Sequence, residues 1–256
     1  MKKWVNIDNK LIPLAFLMML ILIWQFVVDR GLIPKFILPS PYDVIETTIK
    51  TFGDLKKHSL TTLLEASTGF IVAVLLSLIL AVLMDSVDII KKAIYPLLII
   101  SQTVPIIALA PLFVIWFGFG LLPKVIVVVL VCFFPIVVSL LDGLESVDVD
   151  IINLMRSMGA SKIRIFTLVK FPASMVSFFS GLKIAATYSI MGAVIGEWLG
   201  GEGGLGVYMM RVKHSYAMDK VFSVILIIIR LSMTLFKLID LIQYISMPWN
   251  RRHRKT

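Results

Sequence analysis

Six long apolar segments restrict this sequence to a membrane-spanning fold. They cover residues 11–28, 63–84, 95–117, 121–141, 174–199 and 221–246. A helix of about 20 mostly apolar residues crosses the hydrocarbon core of a bilayer. Backbone groups inside that core must be paired within the protein, which favours helices. The sequence therefore predicts an all-α membrane protein with about six transmembrane helices.

The composition argues against a soluble domain. Hydrophobic residues make up 59% of the chain and charged residues 16%, whereas roughly a quarter of a soluble domain is charged. The formal net charge of +9 does not require a nucleic-acid partner, because positive residues collect on the cytoplasmic side of membrane proteins. Cys132 is the only cysteine and the three histidines are far apart, so we expect neither an internal disulfide nor a metal site.

The distribution of Lys and Arg predicts the orientation. With the N-terminus inside, thirteen of these residues fall in inner segments and nine in outer segments. We therefore expect a cytoplasmic N-terminus (residues 1–10), a transmembrane domain (11–246) and a basic cytoplasmic tail (247–256). No small-residue cleavage site follows the first span, which we expect to be retained.

A basic segment, "NLMRSMGASKIRIFTLVKFP" at residues 153–172, is cytoplasmic in this topology. One apolar helical face precedes its glycine, at the spacing i, i+3, i+4 and i+7, formed by Ile151, Leu154, Met155 and Met158. Gly159 predicts the end of that helix. Ser161 predicts the N-cap of a second short helix, with Pro172 ending it or opening the next span. We expect its buried side to hold Ile163, Phe166 and Val169.

Two interpretations of this segment remain open from the residues alone. It could be a positively charged loop that only determines topology, or a docking element whose basic residues face water, headgroups or a partner. The ordered pattern of helix, glycine and helix favours docking, because a tether would need only a short polar turn.

A second connection, "LPSPYDVIETTIKTFGDL", predicts an amphipathic helix between the first two spans. Ser40 and Pro41 mark its start, and its apolar face holds Val44, Ile45, Ile49 and Phe52. It would lie at the outer membrane surface or pack on the edge of the bundle.

Ionisable residues within spans are costly, at about 2.5–3.5 kcal/mol each at the bilayer centre. The candidates are Glu65, Lys183, Glu197, Arg230, Lys237 and Asp240. We expect Glu65 and Glu197 to reach the membrane interface. Lys183 would snorkel inward or line a cavity, and Lys237 would snorkel. Arg230 would pair with an acidic or carbonyl partner, or face an anionic substrate.

Uncharged polar groups are further candidates for a pathway lining. Ser101, Gln102 and Thr103 precede Pro105, which with Pro111 is expected to kink the third span. Thr187 and Ser189 lie midway along the fifth span, where packing is the alternative role. The "GEGGLG" pattern at 201–206 lacks the strand and helix of a dinucleotide site, so we interpret it as a tight outer connection.

Several stretches together resemble the ATP-binding-cassette (ABC) importer permeases of the nitrate, sulfonate and taurine group. Gly159, nine residues, Val169-Lys170 and Phe171-Pro172 are similar to the cytoplasmic loop signature of that family. "LPSPYDV", "VPIIALAPLFVIWFGFG", "FFPIVVSLLDGLESVD" and "GEWLGGEGGLGVYM" also resemble the group. The sequence departs from the signature at Asn153-Leu154-Met155, where Glu-Ala-Ala is usual, and at Phe171, where Leu is usual.

The resemblance implies a type I ABC importer permease fold in a bacterial inner membrane, with both termini cytoplasmic. A second copy of the chain would complete a central pathway, and an extracytoplasmic binding protein would deliver the substrate. A separate ATPase, which would bind ATP and Mg²⁺, would dock on the coupling loop (residues 145–170). The residues implied in coupling are Asn153, Leu154, Met155, Gly159, Ala160, Ser161, Phe166 and Pro172. Pathway lining is expected from Ser101, Gln102, Thr103, Lys183, Thr187, Ser189 and Arg230.

The substrate implied by the resemblance is a small anion such as a sulfonate, taurine or nitrate, with a pyrimidine precursor of thiamine as the alternative. No G-x-x-x-x-G-K-[ST] motif is present, so ATP hydrolysis is not expected in this chain. The motifs G-x-S-x-G and H-E-x-x-H are also missing, which argues against an intramembrane enzyme. A self-contained secondary transporter remains an alternative, although no clear inverted repeat supports it.

Overall fold

The computed structural model describes residues 2–248, with side chains from residue 11 onward. The basic tail residues Arg251, Arg252, Arg254 and Lys255, which contribute to the predicted orientation, lie outside the described residues, as do the side chains of residues 1–10. All regular elements of the described range are helical. They are α1 (Lys2–Asp29), α2 (Pro41–Lys50), α3 (Phe52–Ser86), α4 (Asp88–Ser101), α5 (Ile106–Phe117), α6 (Leu121–Glu145), α7 (Val149–Ser157), α8 (Lys162–Ile165), a π-helical turn (Phe166–Lys170), α9 (Phe171–Glu197), α10 (Leu205–His214) and α11 (Met218–Ser246).

Five helical stretches of the described range are long and apolar enough to cross a membrane, or six if one bent helix pair forms a single span. This confirms the predicted fold class. The bent pair replaces the predicted third span, because α4 and α5 meet at 101° around a break at residues 102–105. Pro105 has no N–H and disfavours helical geometry in the residue before it. The predicted kink is therefore a full break at Pro105, whereas Pro111 lies inside α5.

The described chain forms two compact units, the first ending at residue 58 and including residues 208–227, and the second with residues 59–207 and the part of α11 from residue 228 onward. In the first unit, the Thr47 hydroxyl donates to Asp219 at 2.9 Å and the Ser223 hydroxyl to the Val44 carbonyl at 3.2 Å. The Trp24 ring lies 5.8 Å from that of Phe222. These contacts hold α1 and α2 against the start of α11.

Helix α2 of the first unit begins where the sequence predicts. The Ser40 hydroxyl accepts from Asp43 N–H, and the Asp43 carboxylate accepts from Ser40 N–H, which completes a capping box. Lys35 lies 3.0 Å from Asp43 and, with the bonds from Ser40, lowers the pKa of the Asp43 carboxyl below its usual value. Val44 is buried, whereas Ile45 and Ile49 are exposed. The apolar face of α2 therefore packs against the protein at Val44 and is exposed at Ile45 and Ile49.

The second unit is organised by close packing of α6 against α9. A Cβ atom on Gly181 would lie 2.6 Å from the Pro135 carbonyl oxygen, and one on Gly192 would lie 2.7 Å from a Val131 methyl. Small residues let helix backbones approach closely in membranes, where lipid tails supply no hydrophobic drive for association. Side chains buried around this contact include Cys132, Ile136, Leu140, Ala185 and Ile190.

Helix α9 continues directly from the docking segment, which differs from the prediction of a separate second short helix. Residues Lys162–Glu197 form one candidate span that includes the π-helical turn Phe166–Lys170. The Phe171 N–H bonds to the Phe166 carbonyl, five residues back. A proline normally clashes with the carbonyl four residues before it. The wider turn accommodates Pro172, which lies in the first turn of α9, as expected if it opens the next span.

We predict that Gly181→Ala destabilises the protein, because its methyl group would overlap the Pro135 carbonyl and the Ser139 side chain. Overpacking of this kind costs about 1–3 kcal/mol. The matched control is Gly53→Ala, whose Cβ would meet no atom within 4 Å and whose helix would gain up to about 1 kcal/mol in propensity. Thermal unfolding in detergent should show a lower Tm only for Gly181→Ala, and equal Tm values would contradict the close contact.

Candidate docking segment and translocation pathway

Helix α7 presents an apolar face that is exposed except at Met155, which is half-buried. The Asp148 carboxylate caps its first turn by accepting from Asp150 N–H at 2.9 Å. None of its side chains is buried, and Ile151, Leu154 and Met158 are 47%, 61% and 74% exposed. Apolar residues at the predicted helical spacing thus form a surface suited to another protein.

The connection after α7 has the predicted helix stop and the predicted N-cap. Gly159 has φ +79°, and its N–H bonds to the Arg156 carbonyl at 2.9 Å. The Ala160 N–H bonds to the Met155 carbonyl at 3.0 Å, which completes a Schellman motif. The Ser161 hydroxyl accepts from Arg164 N–H at 3.3 Å and starts α8. These bonds hold the exposed face of α7 in a defined position beside α8.

Two predictions for the second half of this segment are wrong. Lys170 does not face outward, because its ammonium lies 2.6 Å from the Asp85 carboxylate. Ile163 is 77% exposed and Ile165 is buried in its place, whereas Phe166 and Val169 are half-buried on the predicted side. The reason is that the segment continues into α9 and takes its helical phase. Arg156, Lys162 and Arg164 are exposed as predicted.

The remaining coupling candidates lie in or beside this segment. Asn153 is exposed on α7, and its carbonyl accepts from the Ser157 hydroxyl at 3.0 Å. Ala160 is half-buried in the connection. The Phe166 ring lies 5.8 Å from the Phe171 ring, and Pro172 is half-buried in α9. Seven of the eight candidates therefore lie between α6 and α9, and Pro172 lies in the first turn of α9.

The pathway candidates occupy three kinds of environment. Ser101, Gln102 and Thr103 are exposed at the break between α4 and α5. The Lys183 ammonium pairs with the Asp240 carboxylate of α11. Ser189 is buried, and its hydroxyl donates to the Ala186 carbonyl of its own helix. This arrangement favours a packing role for Ser189. Thr187 is half-buried and bonds to Ile184 in the same way.

Arg230 is exposed on α11, and no described acidic side chain forms an ion pair with it. The predicted acidic partner is therefore not found within residues 11–248. Thr234 and Lys237 are also exposed, four and seven residues further along the same helix face. Arg230, Thr234 and Lys237 thus form a polar stripe.

Sequence reasoning missed a buried polar network in the second unit. Glu65 and Glu197 are buried in the protein, so they are not exposed as expected for side chains that reach the interface. Lys124 of α6 lies 2.6 Å from Glu65 of α3, and Thr62 of α3 bonds to Glu197 of α9 at 2.6 Å. The sequence shows acidic and basic residues within or next to the predicted spans, but it does not indicate which of them contact each other in the folded chain.

The connection from α9 to α10 wraps around the Glu197 side chain. Gly204 has φ +119°, and a Cβ atom there would lie 2.1 Å from the Glu197 carboxyl carbon. The Gly206 N–H donates to the Glu197 carboxylate. The glycines of "GEGGLG" are therefore needed for close approach to a carboxylate, as expected for a tight connection. A cavity of about 750 Å³ lies beside them, lined by Glu65, Lys124, Phe119 and residues 200–203 among others.

Comparison with known proteins identifies the family of this helical chain. Residues 73–252, well over half of the chain, match the family described as binding-protein-dependent transport system inner membrane component. The chain belongs to this family. It is thus a multi-pass membrane protein and a permease subunit of an ABC importer. Permeases of this family work with an ATPase and a substrate-binding protein and are not themselves enzymes. The alternative of a self-contained secondary transporter is accordingly wrong.

Curated relatives cover nearly the whole chain. The formylaminopyrimidine transport permease protein ThiX of Halalkalibacterium halodurans is 37% identical over 94% of this chain and 96% of its own length. The riboflavin transport system permease protein RibX of Chloroflexus aurantiacus is 31% identical over 91% and 88%. The taurine transport system permease protein TauC of Escherichia coli is 26% identical over 97% and 93%. The taurine permease, which represents the predicted sulfonate and taurine group, is therefore less similar to this chain than the other two relatives.

A solved structure supports the fold. An inward-facing MetNI methionine ABC transporter matches with a TM-score of 0.56 at 18% identity, covering 75% of this chain and 94% of that chain. The predicted type I ABC importer permease fold is confirmed by this match.

Proposed function

We propose that this permease imports a small nitrogen heterocycle of the pyrimidine class. The observation that carries the proposal is the 37% identity with the formylaminopyrimidine permease over almost the full length of both chains. The riboflavin permease, which is 31% identical, is named for a second nitrogen heterocycle. The taurine permease, at 26% identity, is the more distant relative. We therefore favour a pyrimidine-class substrate over a small anion.

The proposed motor contact is the apolar face of α7. An ATPase subunit, which would hold ATP and Mg²⁺, would cover Ile151, Leu154 and Met158, which are exposed in this chain. The flanking Arg156 and Arg164 would face acidic groups or water around that contact. Asn153 replaces the usual acidic residue, so the contact would depend on apolar burial more than on a salt bridge.

The proposed assembly follows from this contact. Since the ATPase is cytoplasmic, the α7 segment and both termini would lie on the cytoplasmic side of a bacterial inner membrane, as the count of Lys and Arg predicts. A second copy of the chain would complete the pathway, and a binding protein would meet the opposite face. Residues 11–246 would form the membrane domain, residues 145–170 the coupling loop and residues 247–256 a cytoplasmic tail.

The proposed pathway would use polar groups that the fold leaves accessible. Ser101, Gln102 and Thr103 interrupt α4 and α5 at an exposed break, where irregular backbone is tolerated beside a water-filled cavity. Lys183 and its partner Asp240 add a neutralised polar pair, and the half-buried Thr187 adds a hydroxyl.

Arg230 supports the second candidate, an anionic substrate. Arg230 is exposed in an apolar span and has no acidic partner in the described chain. Such an arginine is costly unless it contacts a ligand, water or a neighbouring copy. In a dimer, two such residues would attract an anion to the pathway.

Binding-protein analysis is expected to identify the substrate. The binding protein made with this permease should co-purify with a pyrimidine-class ligand, detected by native mass spectrometry. In reconstituted vesicles, uptake of that ligand should require ATP and this permease. A sulfonate, taurine or nitrate in the binding site would instead establish the anion candidate and overturn the heterocycle.

Arg230→Gln distinguishes the same candidates in the permease itself. If the substrate is a neutral heterocycle, this substitution should leave uptake within about twofold, because no charge pairs with the guanidinium. If the substrate is an anion, Arg230→Gln should lower its uptake on the order of tenfold. This is the loss expected when about 1.4 kcal/mol of charge stabilisation is removed. Complex assembly, followed by size exclusion, is the control, and Arg230→Lys should restore anion uptake.

Gly159→Val is expected to weaken the ATPase contact. A β-branched residue at φ +79° introduces backbone strain of about 1–3 kcal/mol, although no atom lies within 4 Å of the new Cβ. The matched control is Gly159→Asn, because Asn tolerates the left-handed region. Membrane insertion should stay normal in both variants, while pull-down of the ATPase falls only for Val. Equal association would contradict docking through this segment.

A further inference from the structure

Two ion pairs join the ends of the coupling loop to the short connection between α3 and α4. The Lys170 ammonium, at the end of the π-helical turn, lies 2.6 Å from the Asp85 carboxylate in the last turn of α3. The Lys91 ammonium in the first turn of α4 pairs with the carboxylate of Glu145, the last residue of α6. All four residues belong to the second unit. The first and last residues of the coupling loop are therefore both bound to the same connection.

The position of the two pairs along the chain gives them control of the loop. Only Val87 separates the end of α3 from the start of α4, so the two partners on this side are close together in the chain. The loop between the other two partners contains α7, the break at Gly159 and α8. A displacement of the exposed helix α7 can pass along the chain toward α6 or through α8 toward α9. Each direction meets one of the ion pairs where the span begins.

Burial makes the pair of Asp85 with Lys170 the stronger of the two. The side chains of Asp85 and Lys170 are 6% and 21% exposed, whereas those of Glu145 and Lys91 are 41% and 33% exposed. An exposed ion pair contributes little, because water competes for both partners. A largely buried carboxylate has little access to water and depends on its partner. Asp85 therefore follows Lys170 closely, and the more exposed pair is a second, weaker contact that limits rotation about the first.

Apolar packing accompanies the ion pairs. Met84 and Leu144, each next in sequence to an ion-pair residue, are 1% and 0% exposed in one hydrophobic cluster, and Phe166 of the π-helical turn packs against the same cluster. Protein interiors are close-packed, so one of these side chains cannot shift without moving its neighbours. The ends of α3 and α6 and the π-helical turn therefore form one packed group.

Helix α4 connects this group to the break between α4 and α5. It begins beside the ion pairs, ends at Ser101, and packs against the hydrophobic cluster through Ile90, Ile94 and Leu98. At about 1.5 Å per residue, Lys91 and Ser101 are about 15 Å apart along the helix. The break at residues 102–105, after which α5 leaves at 101°, follows directly. A movement of α4 at its first turn is therefore carried to the polar residues of the break.

We propose that the two ion pairs transmit movement of the coupling loop to α4 and thereby to the break at residues 102–105. Asp85 and Lys170 are the principal positioning residues, and Lys91 and Glu145 support them. Coupling of this kind is carried by contiguous packed and charged contacts, which the second unit supplies here. The proposal rests on the proposed ATPase contact at α7. It does not depend on which substrate is carried.

A cysteine reporter at the break tests the proposal. Val104 is 41% exposed and Cys132, the only native cysteine, is buried, so Val104→Cys can be labelled selectively with a water-soluble maleimide. In the complex with the ATPase and the binding protein, ATP and Mg²⁺ should change the labelling rate by on the order of threefold. Adding Asp85→Asn should reduce this change to within about 1.5-fold. The ATPase should still be pulled down, because the long Lys170 side chain can turn toward water.

A conservative variant separates positioning from a purely structural role. Asp85→Glu keeps a carboxylate that can reach Lys170 and should restore the response of the reporter to ATP. The matched control is Glu46→Lys, which removes the exposed ion pair with Lys50 in α2 and should leave the response unchanged. A purely structural role would lower the Tm or the yield of assembled complex, but the response of the complexes that do assemble would stay normal. If Asp85→Asn does not assemble, Glu145→Gln at the more exposed pair should still weaken the response.

The possible outcomes separate this proposal from the motor contact. If the ATPase is not pulled down with the unaltered chain, the contact at α7 is wrong and the proposal is lost with it. If the ATPase is pulled down and the reporter responds to ATP equally in the unaltered chain, Asp85→Asn and Glu145→Gln, only the ion-pair proposal is overturned. A reporter that does not respond to ATP in the unaltered complex would also overturn it.

Discussion

The close contact between α6 and α9 is the interaction on which the second unit depends. Gly181 and Gly192 remove the side chains that would otherwise separate the two backbones. In a bilayer, packing of this kind replaces the hydrophobic drive that holds soluble helices together. Leu140 and Ile190 are completely buried around it. The two helices therefore form a rigid pair from which the other features of the unit extend.

Each end of this pair carries one of the functional elements. At one end, the segment that connects α6 to α9 contains α7 and α8, so the exposed apolar face of α7 belongs to this connection. At the other end, Gly196 of α9 packs against Lys124 of α6, and Lys124 lies beside Glu65. The π-helical turn continues the helix from α8 through Pro172 into α9, so the break at Gly159 is the one interruption between α7 and α9 in the described chain.

Some charges of the spans have an acidic or basic partner in the described chain, whereas Arg230 and Lys237 form no ion pair there. The charges of Glu65, Lys124, Lys183 and Asp240 are paired within the second unit, and pairing explains their presence in an apolar environment. Arg230 has no such partner in the described chain, which is why it is the residue that bears on substrate charge. The relatives named for nitrogen heterocycles support a neutral substrate, whereas the exposed arginine supports an anionic one. The charge of the substrate therefore distinguishes the two candidates.

The sequence by itself determined the helical membrane fold, the end of α7 at Gly159, and the caps at Ser40 and Ser161. These features depend on local hydropathy, backbone freedom and hydrogen bonds between residues a few positions apart. Tertiary structure alone decided that Lys170 meets Asp85, that Ile165 rather than Ile163 is buried, and that Glu65 and Glu197 share an interior with Lys124. Those partners lie on different helices, and the hydropathy of a single span carries no information about which face meets a neighbour or which charge lies opposite.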